Sequence, residues 1–198
     1  MAAARRGALL AAVLATQLFA GCAPLVLGGA VVGGFVAADR RTSGAQLEDQ
    51  AIELKAINRI SALVGERGHV NLTSYNRMLL ITGEVASEAD KAAVEQAVGQ
   101  IENVRSIVNE LAVMAPTSLG SRSNDVVLTS KVKASLIDAK DLQANAFKVV
   151  TERGQVFLMG RVTEREANRA SDVARSINGV QKVIRVFEIV TEAQLAGR

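Results

Sequence analysis

One thiol, Cys22, and one imidazole, His69, are the only cysteine and histidine in this 198-residue chain. A Ser-His-Asp triad or a multi-histidine metal site cannot be assembled around a single histidine. His69, placed where a first strand is expected to begin, therefore reads as structural. The acid pairs Glu88 with Asp90 and Glu164 with Glu166 fall in the first turns of expected helices. There they cap free amides and complement the helix dipole, which accounts for them better than acid-base chemistry does. Gly83 and Gly160 are each expected to close a strand before a helix, but no phosphate-cradling glycine-rich loop surrounds them. No nucleophile and base pair up, so the chain reads as a non-enzyme, and no cofactor or metal is expected. The chemistry of Cys22 depends on what precedes it.

Arg5 and Arg6 head an apolar run from Gly7 to Phe19, and Leu18-Phe19-Ala20-Gly21 leads directly into Cys22. A basic start, a short apolar stretch and small residues before a processing point form a secretory signal. The run is shorter than the roughly 20 apolar residues a membrane span needs. Ala20-Gly21-Cys22 resembles the lipobox of bacterial lipoproteins, with Phe19 where that pattern prefers leucine. The resemblance implies that Cys22 is acylated and becomes the mature N-terminus; an ordinary signal with an incidental thiol is the alternative. Acyl chains contribute about 0.8 kcal/mol per buried methylene, so a multiply acylated cysteine anchors a protein without a spanning helix. Ala23, rather than the aspartate that retains many lipoproteins at the inner membrane, implies the outer membrane, facing the periplasm. Loss of residues 1–21 removes two arginines and no acid, so the net charge falls from +3 to +1. That balance gives no bulk electrostatic case for nucleic acid.

Residues 22–46 read as the lipidated N-terminus and its tether. Within them Pro24 to Ala38 is apolar and glycine-rich, suited to hugging the membrane, and Gly29 and Gly33 have the spacing of helix-packing glycines as the other reading. Asp39-Arg-Arg-Thr-Ser-Gly44 turns polar and reads as a linker, and residues 115–123 read as a second. Beyond each linker lies one copy of an internal repeat, at 47–114 and 124–191, with a tail over 192–198. Ile52, Ala56 and Ile60 answer to Leu128, Val132 and Leu136, each set spaced four apart on one helix face. Val70 and Leu72 match Phe147 and Val149 as alternating strand residues, and Leu79 to Val85 matches Val156 to Val162. Hairpin turns are expected at Tyr75-Asn76-Arg77 and Glu152-Arg153-Gly154. Ser87-x-x-Asp90 and Thr163-x-x-Glu166 have the spacing of capping boxes. Alternating strands at Ile107 to Val113 and Val183 to Ile189 complete the copies.

Each copy thus reads as helix, strand, strand, helix, strand, and the pattern resembles the BON domain. The likeness is carried most closely by Ser123-Asn-Asp-Val-Val-Leu-Thr-Ser-Lys-Val-Lys133 and Gly154-Gln-Val-Phe-Leu-Met-Gly-Arg-Val-Thr-Glu-Arg-Glu-Ala167. A pair of copies behind a lipobox is similar to the dual-BON lipoproteins of Gram-negative outer membranes. The fold this implies is α+β, with two tandem BON domains, each a three-stranded mixed sheet packed on two helices.

One surface stands out. At 100° per residue, Leu128, Val132, Ser135, Leu136 and Ala139 share the side of the second copy's first helix that must face its sheet. Val126, Val127, Ala134 and Ile137, with Ser130 among them, fall on the opposite side, where polar residues are expected, and Lys131 and Lys133 flank them. An apolar strip bordered by lysines suits an interfacial helix that inserts among lipid tails while its ammonium groups meet anionic headgroups. The same strip would also be hidden if Val127 and Ile137 packed on the first copy. The first copy's equivalent helix, with Glu53, Lys55, Asn58 and Arg59, lacks so clear a lysine-bordered ridge. The resemblance implies binding of an anionic phospholipid membrane, phosphatidylglycerol above all, through the second copy's helix. In the family an aromatic residue stands at the place of Val127. It also implies a part in outer-membrane integrity, enrichment at the division site, and contacts with envelope or division-site proteins. A scaffold binding proteins or peptidoglycan, with lipid contact only through Cys22, is the other reading. The sequence sets no oligomeric state.

Overall fold

The computed structural model describes residues 39–196; Cys22 and the glycine-rich segment to Ala38 lie outside them. The first repeat comprises helix α1 (Ser43–Val64), a 3-10 turn, strands β1 (His69–Tyr75) and β2 (Met78–Val85), helix α2 (Glu88–Gly99), and strands β3 (Ser106–Asn109) and β4 (Ala112–Val113). The second comprises α3 (Leu119–Asp138), a 3-10 turn, β5 (Phe147–Glu152), β6 (Gln155–Val162), α4 (Glu164–Arg175) and β7 (Lys182–Ile189). A short α5 (Glu192–Ala196) follows, so part of the expected tail is helical. The first turn of α3 likewise occupies residues 119–123, read from sequence as linker, because Ser118 caps the helix by accepting the Ser121 amide at 3.2 Å.

The central strand of each sheet pairs antiparallel with the strand before it and parallel with the strand after the helix. Both sheets are therefore mixed, as the α-β-β-α-β order requires. β6 and β7 pair without interruption from Gln155↔Lys182 to Val162↔Ile189. Their counterparts are broken: β2 pairs with β3 over Met78–Ile81 and with β4 over Glu84–Val85. At the break the Leu111 amide turns to Asn109 Oδ1 at 3.2 Å, and the Leu111 side chain is buried in the first core. Gly83 and Gly160 do not close their strands, which run on to Val85 and Val162. They are sites of close backbone approach, since a Cβ at Gly83 would lie 1.9 Å from the His69 carbonyl oxygen and one at Gly160 2.4 Å from that of Ala146.

Alternation along the strands builds three cores. Leu79, Ile81 and Val85 face α1 and α2, and Val156, Leu158 and Val162 face α3 and α4. The intervening Leu80, Phe157 and Met159 point the other way and close on one another with Tyr75 and Val186. The repeats thus stack sheet on sheet, in four layers with helices outermost. Polar contacts hold the same interface reciprocally. In one direction, Arg153 from the β5–β6 turn donates to the Gly83 carbonyl and Glu84 Oε1, both at 2.9 Å. In the other, Asn76 from the β1–β2 turn reaches Glu188, which Arg161 holds at 3.2 Å.

Candidate functional site

Two aspartates fix the hairpins that aim these contacts. Asp49 and Asp125 stand three residues before the first core residue of α1 and α3, on the buried face. Asp49 accepts the amides of Asn76 and Arg77 at 2.8 and 2.7 Å, and Asp125 accepts those of Arg153 and Gly154 at 2.8 Å each. All four turn residues have positive φ, the conformation of a type I′ turn. Asp49 also accepts from Ser74 Oγ at 2.7 Å and pairs with Arg41 at 2.8 Å. Despite burial, these donors hold its carboxyl below the usual carboxylate range. Matching acids at one register of both copies were a sequence signal for this role that the capping argument did not cover.

The segment before α1, expected to be a free linker, is clasped instead. Arg41 lies over the Tyr75 ring, 4.3 Å from its centre. Arg40 forms a fork with both oxygens of Glu166 at 2.7 and 2.8 Å. Glu166 completes the α4 capping box, accepting from the Thr163 amide at 3.0 Å, and the Arg40 guanidinium beside it lowers its pKa to about 2. At the corresponding α2 terminus, Ser87 caps the Asp90 amide, and Asp90 faces the exposed Arg67 at 3.9 Å in place of a fork. Pairing across 126 positions leaves no local pattern to read. The clasp brings Asp39 into a cleft of about 420 Å³ beside Lys133 and Ile137, at the C-terminal end of α3.

On α3 itself, Val126, Val127 and Ile137 are 67%, 53% and 68% exposed, so they do not pack on the first repeat. That alternative fails because the repeats meet through their sheets, which leaves the outer faces of the helices uncovered. Ser130, Lys131, Lys133 and Ala134 are exposed among them. Leu119, within the expected linker, is 79% exposed and shares the strip, since 18 positions bring it back to the angle of Ile137. The strip is therefore about 27 Å long at 1.5 Å per residue. Of the two acids on α3, Asp125 is buried on the opposite side and Asp138 lies at the C-terminal end, so no acid interrupts the strip. α1 also has exposed apolar residues: Leu47, Leu54 and Ile57. There, however, Glu48 and Glu53 sit on the same helix and are engaged by Asn103 and Lys148.

Among the described residues no helix is long and apolar enough to cross a membrane. The BON domain model matches residues 49–115 and 124–191, one match for each repeat. The chain is 38% identical to the outer membrane lipoprotein DolP of Haemophilus influenzae over 176 residues, 88% of this chain and 91% of that one. It is 30% identical to a 21 kDa hemolysin of Actinobacillus pleuropneumoniae over 154 residues, 77% and 79% of the two chains. CdsD, a structural protein of the type III secretion system of Chlamydia trachomatis, aligns over 71% of this chain and 95% of its own at 12% identity and a TM-score of 0.31, too distant to inform function. With a BON domain in each repeat and relatedness along most of its length, the chain belongs to the BON-domain family, as a dual-BON protein of the DolP type.

Proposed function

We propose that this protein is a non-enzymatic lipoprotein of the outer membrane, held by acylated Cys22, that reads anionic phospholipid with the outer face of α3 and supports envelope integrity. The observation that carries the reading is the uncovered strip of Leu119, Val126, Val127 and Ile137, bordered by Lys131 and Lys133, with no acid of α3 on that face between Leu119 and Ile137. Exposed apolar surface of this kind lowers its free energy by entering the acyl boundary, and each nearby lysine adds about 1 kcal/mol on an anionic leaflet. Relatedness to a named outer membrane lipoprotein supports the compartment. Asp39, 17 positions after Cys22 in sequence, lies at the end of the same helix. Anchoring then raises the local concentration of the strip near phospholipid, so weak recognition is enough to decide where the protein gathers, including at a division site.

Vesicle flotation of the Cys22→Ser chain, which cannot be acylated, tests the reading. Binding is expected to rise with phosphatidylglycerol content and to disappear in Lys131→Glu/Ile137→Glu. Binding that ignores phosphatidylglycerol, or that survives the double substitution, refutes it. The exposed Leu47, Leu54 and Ile57 of α1 favour a second reading, an envelope scaffold that holds a protein or peptidoglycan on the opposite outer layer. Site-specific crosslinking from Leu54 in cells checks this, with a protein or glycan adduct as the expected product.

A further inference from the structure

His69, Glu84 and Glu152 bring an imidazole nitrogen and two carboxylate oxygens within 4.8 Å of one another. Local sequence pattern carries no hint of this, because the three residues lie on β1, β2 and β5 and come together as a trio only when the sheets stack. Glu84 and Glu152 are buried, at 0% and 3% exposure. His69 Nδ1 is itself buried and has no hydrogen-bond partner, and Glu84 Oε2 lies 3.7 Å away. The remaining contacts hold the carboxylates in place rather than fill the space between them. Arg153 takes Glu84 Oε1 at 2.9 Å, the Thr117 amide donates to Glu84 Oε2 at 3.2 Å, and Asn71 donates to Glu152 Oε2 at 2.9 Å. With the Thr117 hydroxyl, which also donates to Glu84 Oε2 at 3.4 Å, an arginine and three neutral donors leave the pair of acids with one negative charge in excess.

We infer that His69, Glu84 and Glu152 form a binding site for a divalent transition-metal cation, of which Zn²⁺ is the type, and that the cation joins the two repeats. One neutral imidazole and two carboxylates are a ligand set of the kind found in open zinc sites, with a fourth position for water. Tetrahedral zinc at bond lengths near 2.0–2.2 Å sets its donors about 3.4 Å apart, so the observed spacings close onto an ion with small side-chain movements. Asn71 and Arg153 supply the outer contacts that orient ligating carboxylates. Access is present too: His69 and Glu152 line a cleft of about 210 Å³ with Asn71, Arg122, Thr129 and Thr151. His69 and Glu84 belong to the first repeat and Glu152 to the second, so a bound ion would cross-link the sheet-on-sheet interface.

The test is calorimetric titration of the chelator-treated full chain, purified in detergent, with Zn²⁺, followed by thermal unfolding with and without the ion. One saturable site per chain and a higher melting temperature are expected. His69→Gln and Glu152→Gln should each weaken binding by at least about 100-fold, more than the 10- to 100-fold that follows loss of a contact orienting a ligand. Glu152→Gln removes a buried charge and keeps the Asn71 contact within reach, so the fold should persist and the loss can be read as loss of a ligand. Asp141→Asn, on the surface, is the control and should leave binding unchanged. The inference is overturned if no saturable binding is seen, or if both glutamine variants bind as the parent does. It is equally overturned if the site responds to acid alone, with stability changing near the histidine range in the parent and not in His69→Gln, since the trio would then hold a proton and not a metal.

Discussion

The two repeats share a fold and differ in what they spend their surfaces on. In both, a buried aspartate on the first helix ties down a type I′ hairpin, a capped second helix follows, and one sheet face is covered by helices. The first repeat adds polar connections: Asp49 gathers Ser74 and Arg41 in addition to the turn amides, and Glu53 pairs with Lys148 across the interface at 2.9 Å. The second carries the regular, unbroken β6–β7 ladder and the clean apolar strip of α3. Duplication thus allowed one copy to be wired into its neighbour while the other kept an outer helix whose exposed face bears no acid between Leu119 and Ile137. The stretch before α1 reinforces the division, since Arg40 ties it to the second repeat and not to the repeat that follows it in sequence.

The comparison depends first on the sheet-on-sheet core. Phe157 is fully buried there, opposite Leu80 and Tyr75, whereas Val156 beside it serves only the second repeat. Phe157→Ala should cost about 3–5 kcal/mol, the range for deleting a buried aromatic. Urea unfolding of the parent should show one transition, and the variant should unfold earlier with the repeats separating into two. A single shared transition in Phe157→Ala would mean that the repeats are coupled elsewhere. The next effect separates the two aspartates. Asp49→Ala leaves two turn amides and the Ser74 hydroxyl short of a partner, while Arg41 keeps Asp39, and should cost about 2–3 kcal/mol. Asp125→Ala strands only two amides and should cost about 1–2 kcal/mol. Equal losses in denaturant titrations would show that the extra connections of the first repeat contribute nothing.

Much of this was legible in the residues. The 3.6 and 2.0 periodicities, the turn positions and the paired capping motifs predicted the helices, strands and repeat, because those signals are local. The uninterrupted runs Leu79-Leu80-Ile81 and Val156-Phe157-Leu158-Met159 also carried a message, as strands buried on both faces lose polar alternation. What covers the second face could not be read, since it is set by the other copy. Val126, Val127 and Ile137 were placed correctly on the face opposite the core by helical angle alone. Arg40 with Glu166, and His69 with Glu84 and Glu152, were not found because each set depends on chain folding over long separations.

The clasp on the second repeat should contribute about 2 kcal/mol, the scale of a charge-assisted fork that is partly solvated. Its pH dependence has a definite sign. Glu166 titrates near 2 in the fold against an ordinary value of 4.5. A carboxylate lowered on folding contributes fully above the unfolded value and loses its contribution as pH falls through the folded one. The difference in stability between the parent and Arg40→Ala should therefore be constant from neutral pH to about 5 and shrink between about 4.5 and 2. Thermal melts of both proteins across that range check it, and a difference that grows on acidification would assign the stabilisation to another pair.

The smallest effect is expected where the two outer helices are compared directly. Leu54 on α1 and Val127 on α3 are both exposed apolar residues on the side away from the core, and neither holds a sheet in place. Replacing either with glutamate should change stability by no more than about 0.5 kcal/mol, as for most surface positions. Their effects on vesicle binding should differ. Val127→Glu puts a negative charge between Lys131 and the apolar strip, where an anionic leaflet repels it, and should weaken binding of the Cys22→Ser chain about tenfold. Leu54→Glu lies on the opposite outer layer and beside acids already present, so its binding should match the parent within about twofold. Four stacked layers present only one outer helical layer at a time to a flat membrane. If Leu54→Glu weakened binding as much as Val127→Glu, lipid would be read by both repeats, and the division of labour between them would have to be replaced by two equivalent membrane faces.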